Sequence, residues 1–276
     1  MNSEQIDALW NISDPIQGYD GLVAALEEAP DSADEIHTQI CRALGLQRKF
    51  DEGWAELARI SPSPSKIVQV RRDLEAGRLK NSSGDKDGAR PYFLQALNEA
   101  NNSGFDFYAV DAAHMLGIVT KEAESVEWNT RAIDMAKRSE DPRARKWQGS
   151  LLNNLGWTYH DAGQFEKALA TFQEARTFQE ETKNETRIRI AQWAVARCLR
   201  SLTRYEEALA IQRELVTFPE QGYASEEMGE LLLVTGHADE SRPYFKRAYE
   251  LLSQDIWLKA NESQRLERLK QLSEAP

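Results

Sequence analysis

Five stretches of this chain repeat one arrangement of small and large apolar positions: Ala89–Ala96, Ser125–Ala132, Ala168–Ala175, Ala208–Leu215 and Ser241–Ala248. Each opens on a small residue and carries a small or apolar one seven positions on, and Phe93, Phe172 and Phe245 fill the slot between in three of them. Positions i, i+4 and i+7 share one face of an α-helix. The small ends admit a neighbouring helix closely, and the aromatic fills the gap to the next repeat. A second helix precedes each stretch, marked by Leu116-Gly117, Leu155-Gly156 and Met228-Gly229, with Gly77 and Ala196 in the same slot. Glycine inside a helix costs about 1 kcal/mol relative to alanine, so its recurrence predicts a neighbouring helix pressed on the backbone. The short segments Asp161–Gln164 and Thr235–Ala238 suit turns between antiparallel helices.

The ends are patterned differently. Residues 3–28 predict a short helix, a turn at Ser13-Asp14-Pro15 and an amphipathic segment carrying Leu22 and Leu26. Residues 254–273 predict one polar helix with Ile256, Leu258, Leu266, Leu269 and Leu272 on its apolar side. A stack of repeats exposes an apolar face at each end unless an atypical unit covers it. No Ser/Gly-rich linker divides the chain, so a single continuous array is expected.

This pattern resembles the tetratricopeptide repeat. The match is best over Leu152–Ala175, where Leu155, Gly156, Tyr159, Ala168, Phe172 and Ala175 occupy the family's consensus slots. The anchors Ala96, Ala132, Ala175, Leu215 and Ala248 are spaced by 36, 43, 40 and 33 residues. The usual period is about 34, so several repeats carry longer helices or loops. Long repeats with paired Asn, as at Asn153-Asn154, look like those of kinesin light chains and bacterial peptide-sensing regulators. The resemblance is secure over 145–252, extends through 65–140, and reaches 34–61, where Gly53 replaces the usual Ala. It implies an all-α fold, a right-handed superhelical solenoid of helix-turn-helix repeats with helical caps. One domain over 1–276 would comprise an N-terminal cap (1–33), about six repeats (34–252) and a C-terminal capping helix (253–276).

In that family the first helix of each repeat lines the concave side. Carried over, the ligand face would include Thr38, Arg42, Asp73, Arg78, Asp111 and His114 toward the start of the chain. It would continue through Asn153, Asn154, Trp157 and His160, then Trp193, Arg197 and Arg200, then Tyr223, Glu226 and Glu230. Asparagine amides both donate and accept, which suits an extended peptide backbone. Tryptophan and arginine dominate binding hot spots, and arginine forks onto carboxylates. The plainer readings stand beside these. The Asn amides would bond neighbouring helices, Trp157 and Trp193 would pack between repeats, and the arginines would pair with Asp111, Glu226 or Glu230. His114 and His160 would be plain polar wall residues.

Charge and composition narrow the function class. The net charge of −11 and pI near 5.0 oppose a nucleic-acid partner, which needs a basic footprint. Mean hydropathy is −0.62, and no run approaches the roughly 18 apolar residues of a membrane helix. The polar, acidic stretch Met1–Asp7 lacks the character of a secretory signal, so a cytoplasmic location is expected. Two cysteines, Cys41 and Cys198, and four histidines supply neither a disulfide framework nor a metal motif. No nucleotide-, zinc- or serine-hydrolase motif occurs, so no catalytic residue, metal or cofactor is expected. The expected partner is a protein or peptide held in the groove. Alternatives are a signalling regulator whose conformation responds to a bound peptide, and self-association through the terminal helices.

Overall fold

Every regular element among the described residues is a helix. The computed structural model describes residues 1–10, 14–62 and 64–274. Ser13 of the expected turn, and the side chains of Glu122 and Ile256, lie outside the described residues.

The chain divides into two compact units, Met1–Leu151 and Leu152–Pro276. In the first, α1 (Ser3–Ala8) and α2 (Pro15–Glu28) precede three helix pairs. These are α3 (Ala33–Leu46) with α4 (Phe50–Leu57), α5 (Lys66–Ser82) with α6 (Lys86–Ser103), and α7 (Asp106–Val119) with α8 (Glu122–Arg138). A short α9 (Pro142–Lys146) follows, packed on α7 and α8. The next helix, α10 (Gln148–Asp161), runs into the second unit and pairs there with α11 (Phe165–Thr182). Then come α12 (Glu185–Ser201) with α13 (Tyr205–Leu215), α14 (Gly222–Val234) with α15 (Ala238–Leu252), and finally α16 (Ile256–Asn261) and α17 (Ser263–Glu274). Within each unit the helices pack chiefly on their neighbours in sequence.

Local chemistry sets the boundaries. Asp14, Asp85 and Asn184 each accept a backbone N–H three residues on, which caps α2, α6 and α12. Both expected turns form, and Gly163 (φ 70°) and Gly236 (φ 85°) supply the left-handed residue that reverses the chain.

The glycine slots have the predicted steric cause. A Cβ on Gly77 would lie 2.5 Å from the Phe93 ring, and one on Gly229 would lie 2.8 Å from Phe245. On Gly156 it would collide with Phe172. All three phenylalanines are fully buried. The other two pairs solve the same slot with amides. Asn129 lies against Gly117 and donates through Nδ2 to the Ser125 carbonyl at 2.8 Å. In α13 the slot holds Gln212, which is fully buried with neither amide atom hydrogen-bonded. Such an amide costs its desolvation penalty, about 1–3 kcal/mol. Gln212→Met, similar in shape and apolar, is expected to raise the urea midpoint, stabilising by about 1 kcal/mol or more. An unchanged or lower midpoint would show that the amide is satisfied in solution.

The ends are closed by the atypical helices. Ile6 and Leu22 bury against Ile36, Ile40 and Leu44 of α3. Leu258, Leu266 and Leu269 bury against Phe245, Ala248 and Leu252 of α15. The stretch expected to be one helix over 254–273 is two, α16 and α17, broken around Asn261-Glu262-Ser263. The break lets Leu258 and Leu266 reach one core.

Candidate functional site

In the second unit the first helices α10, α12 and α14 bring their predicted aromatic residues into one row. Trp157 and Trp193 have ring centroids 5.6 Å apart, and Trp193 and Tyr223 5.7 Å apart. Trp193 Nε1 donates to the Tyr223 carbonyl at 3.1 Å, tying α12 to α14. Trp157 rests edge-on against buried Phe172 at 5.0 Å and beside His160 at 5.2 Å. Both tryptophans are half-buried, with one side on the core and the other toward solvent, whereas Tyr223 is 41% exposed. Asn153 and Asn154 lie one turn before Trp157, also half-buried. Thr158 bonds the Asn154 backbone carbonyl, and neither asparagine amide has a hydrogen-bond partner among the described residues.

Beside the aromatics runs a ladder of charge. Arg200 forks onto Glu227, with Nε to Oε1 at 2.5 Å and Nη2 to Oε2 at 3.1 Å. Arg197 donates to Ser201 Oγ at 2.8 Å and stands 3.6 Å from the same carboxylate. Burial and neighbouring Arg200 push the Arg197 pKa down, while burial raises that of Glu227. On α14, the helix of Glu227, Glu226 takes Arg265 of α17 at 2.6 Å, and Glu230 takes Arg268. Arg265 also covers the Tyr223 ring at 5.3 Å. His160 Nε2 meets Ser201 Oγ at 2.9 Å, and burial next to Arg197 lowers its pKa. Sequence reasoning missed Glu227, Arg265 and Arg268. The available signal was Arg265 and Arg268 one turn apart, flanking the buried positions Leu266 and Leu269.

The first unit holds the remaining predicted residues deeper. Asp111 is 3% exposed and accepts both Nη2 bonds of Arg78, at 2.6 and 2.5 Å. His114 is buried against Trp147, with centroids 5.1 Å apart and Nδ1 unbonded, and burial lowers its pKa. Thr38 and Asp73 are buried as well. Sequence gave no hint of buried Arg71, which joins Asp7, Glu35 and the Tyr108 hydroxyl at 2.5, 2.5 and 2.7 Å. Both thiols are buried, and burial raises the Cys198 pKa to about 11. Among the described residues no helix is long and apolar enough to cross a membrane, and no cluster of three metal-binding side chains occurs.

Residues 147–221 match the family Tetratricopeptide repeat, and this segment holds the whole Trp157–Trp193 pairing. That segment carries tetratricopeptide repeats. Its fold is similar to solved structures at low sequence identity. Apo RapI aligns with TM-score 0.69 and 10% identity, covering 92% of this chain and 75% of RapI. NprR in complex with its cognate peptide NprX aligns at 0.59 and 14%, covering 98% and 82%. The kinesin-light-chain-like repeats of Podosopora anserina align at 0.53 and 15%, covering 67% and 95%. Comparison with curated proteins finds no match. At these identities the likeness is one of fold alone: an all-α, tetratricopeptide-like solenoid.

Proposed function

We propose that this tetratricopeptide array is a protein- or peptide-binding adaptor whose second unit holds a partner segment along α10, α12 and α14. The half-buried row Trp157–Trp193–Tyr223 carries the reading, since it offers contiguous aromatic surface where a partner would lie. The unpartnered Asn153 and Asn154 amides sit at one end of that row, positioned to bond a partner's main chain. Arg197, not fully neutralised by Glu227, offers a guanidinium beside it. The NprR structure contains a peptide, as its name states, which agrees with this use of the fold.

Quantitative pull-down with wild type and a Trp157→Ala/Arg197→Ala variant, both checked by circular dichroism, tests the proposal. The captured partner is expected to fall by about tenfold or more in the folded variant. Equal capture by both proteins would remove the row from the binding surface.

A further inference from the structure

The aromatic row of the second unit ends on a cation. Trp157, Trp193 and Tyr223 follow one another at 5.6 and 5.7 Å, and the Arg265 guanidinium lies 5.3 Å from the Tyr223 ring centroid. This near-constant step carries the row from α10, α12 and α14 onto the capping helix α17. Tyr223 thus stands between two partners, the Trp193 ring, with planes 62° apart, and a guanidinium. It is the second residue of α14 and is 41% exposed, so burial does not fix its ring. An exposed ring of this kind samples several rotamers unless a contact holds one.

Arg265 is equipped to be that contact. Its Nε reaches Glu226 Oε1 at 2.9 Å, Nη2 reaches Oε2 of the same carboxylate at 2.6 Å, and Nη1 reaches Glu262 Oε2 at 2.7 Å. A planar guanidinium bonded along both edges is held in one orientation. Burial alone would lower its pKa, but the bonds to Glu226 and Glu262 outweigh it, so the charge is kept. Leu266 and Leu269 anchor α17 against Phe245, Ala248 and Leu252 of α15. Arg268, one turn on, makes the companion bridge to Glu230 of α14, with no ring contact among the described residues. Two bridges therefore join α17 to α14, and one of them bears on the row.

We propose that Arg265 is a positioning residue of the recognition row. It holds the Tyr223 ring against Trp193, and α17 thereby forms the fourth rung of the partner surface. The inference rests on the reading of this row as the surface that a partner meets.

The Trp193 indole N–H donates to the Tyr223 carbonyl, so its signal reports on the ring beside it. The test follows the ¹⁵N-indole signals of Trp157 and Trp193 in the full-length protein, assigned with Trp157→Phe and Trp193→Phe. Arg265→Met is expected to move the Trp193 signal by more than its linewidth, and Arg268→Met to leave it in place. Arg265→Lys, which keeps a cation over the ring, is expected to restore part of the shift. In a Tyr223→Leu background Arg265→Met should add no further shift, since the ring through which it acts is gone. The two Met variants are expected to lower the melting midpoint alike, so a purely structural bridge would not separate them. Equal Trp193 shifts in Arg265→Met and Arg268→Met, or none in either, would overturn the proposal. So would an Arg265→Met shift that persists in Tyr223→Leu. In pull-down, Arg265→Met is expected to capture about threefold less partner than Arg268→Met. Equal capture by these two, with Trp157→Ala/Arg197→Ala still impaired, would remove α17 from the partner surface. Full capture by Trp157→Ala/Arg197→Ala would instead sink the adaptor reading and leave the spectral result standing.

Discussion

Truncating Phe172 to alanine is expected to cost about 3–5 kcal/mol in urea unfolding. The ring is fully buried among Ala168, Leu169, Ala194, Val195, Cys198 and Leu199, so its removal leaves a cavity between two helix pairs. It also presses on the backbone of α10 at Gly156, which is why a side chain there collides with it. Gly156→Ala alone is therefore expected to destabilise by about 1–3 kcal/mol through overpacking. In the Phe172→Ala background the same methyl enters the vacated space, and its cost should vanish or reverse. Such non-additivity identifies a direct contact. A Gly156→Ala cost that is identical in both backgrounds would mean that Phe172 is not what excludes a Cβ. Trp157 also loses the ring it leans on, so partner capture should weaken with stability.

Arg71→Met is expected to be comparably severe. The guanidinium is 2% exposed, and its loss leaves Glu35 without its counter-charge and Asp7 with only Arg143, 3.9 Å away. Breaking a buried pair by removing one partner costs about 3–5 kcal/mol. Burial by itself would push the Arg71 pKa down, but Tyr108, Asp7 and Glu35 outweigh it, so the pKa is raised and the charge is held. Neutralising the carboxylates as well, in Arg71→Met/Glu35→Gln/Asp7→Asn, is expected to recover most of the loss. If the triple variant melts no higher than the single, the damage is one of packing and the electrostatic account fails.

The packing frame was legible because sterics imprint on residue size. Gly77, Gly156 and Gly229 each stand 16 residues before Phe93, Phe172 and Phe245, across one turn, and that recurrence marks the two helices that press together. Asn129 and Gln212 escaped notice because an amide in an aromatic's slot looks like an exposed position. The site was half legible. Trp157, Trp193 and Tyr223 stand at different offsets from the slots Gly156, Ala196 and Gly229, each about a turn earlier than the last, yet the structure brings them together. Which acid meets which base was not readable, since Glu226 and Glu227 are adjacent in sequence yet point about 100° apart around the helix. One meets Arg265 and the other Arg200. Asp111 and His114 sit deep because α7 is apolar around most of its circumference, the mark of a helix covered on several sides.

The ion pair of Asp7 with Arg71 spans 64 residues of sequence. On the ribosome, at roughly 5–20 residues per second, Arg71 follows Asp7 by about 3–13 s. Through that interval α1, six residues long, is too short to hold as a helix unaided. Ile6 can bury on α3 once Ile36 and Ile40 are made, but the Asp7 carboxylate waits for α5 to bring its guanidinium.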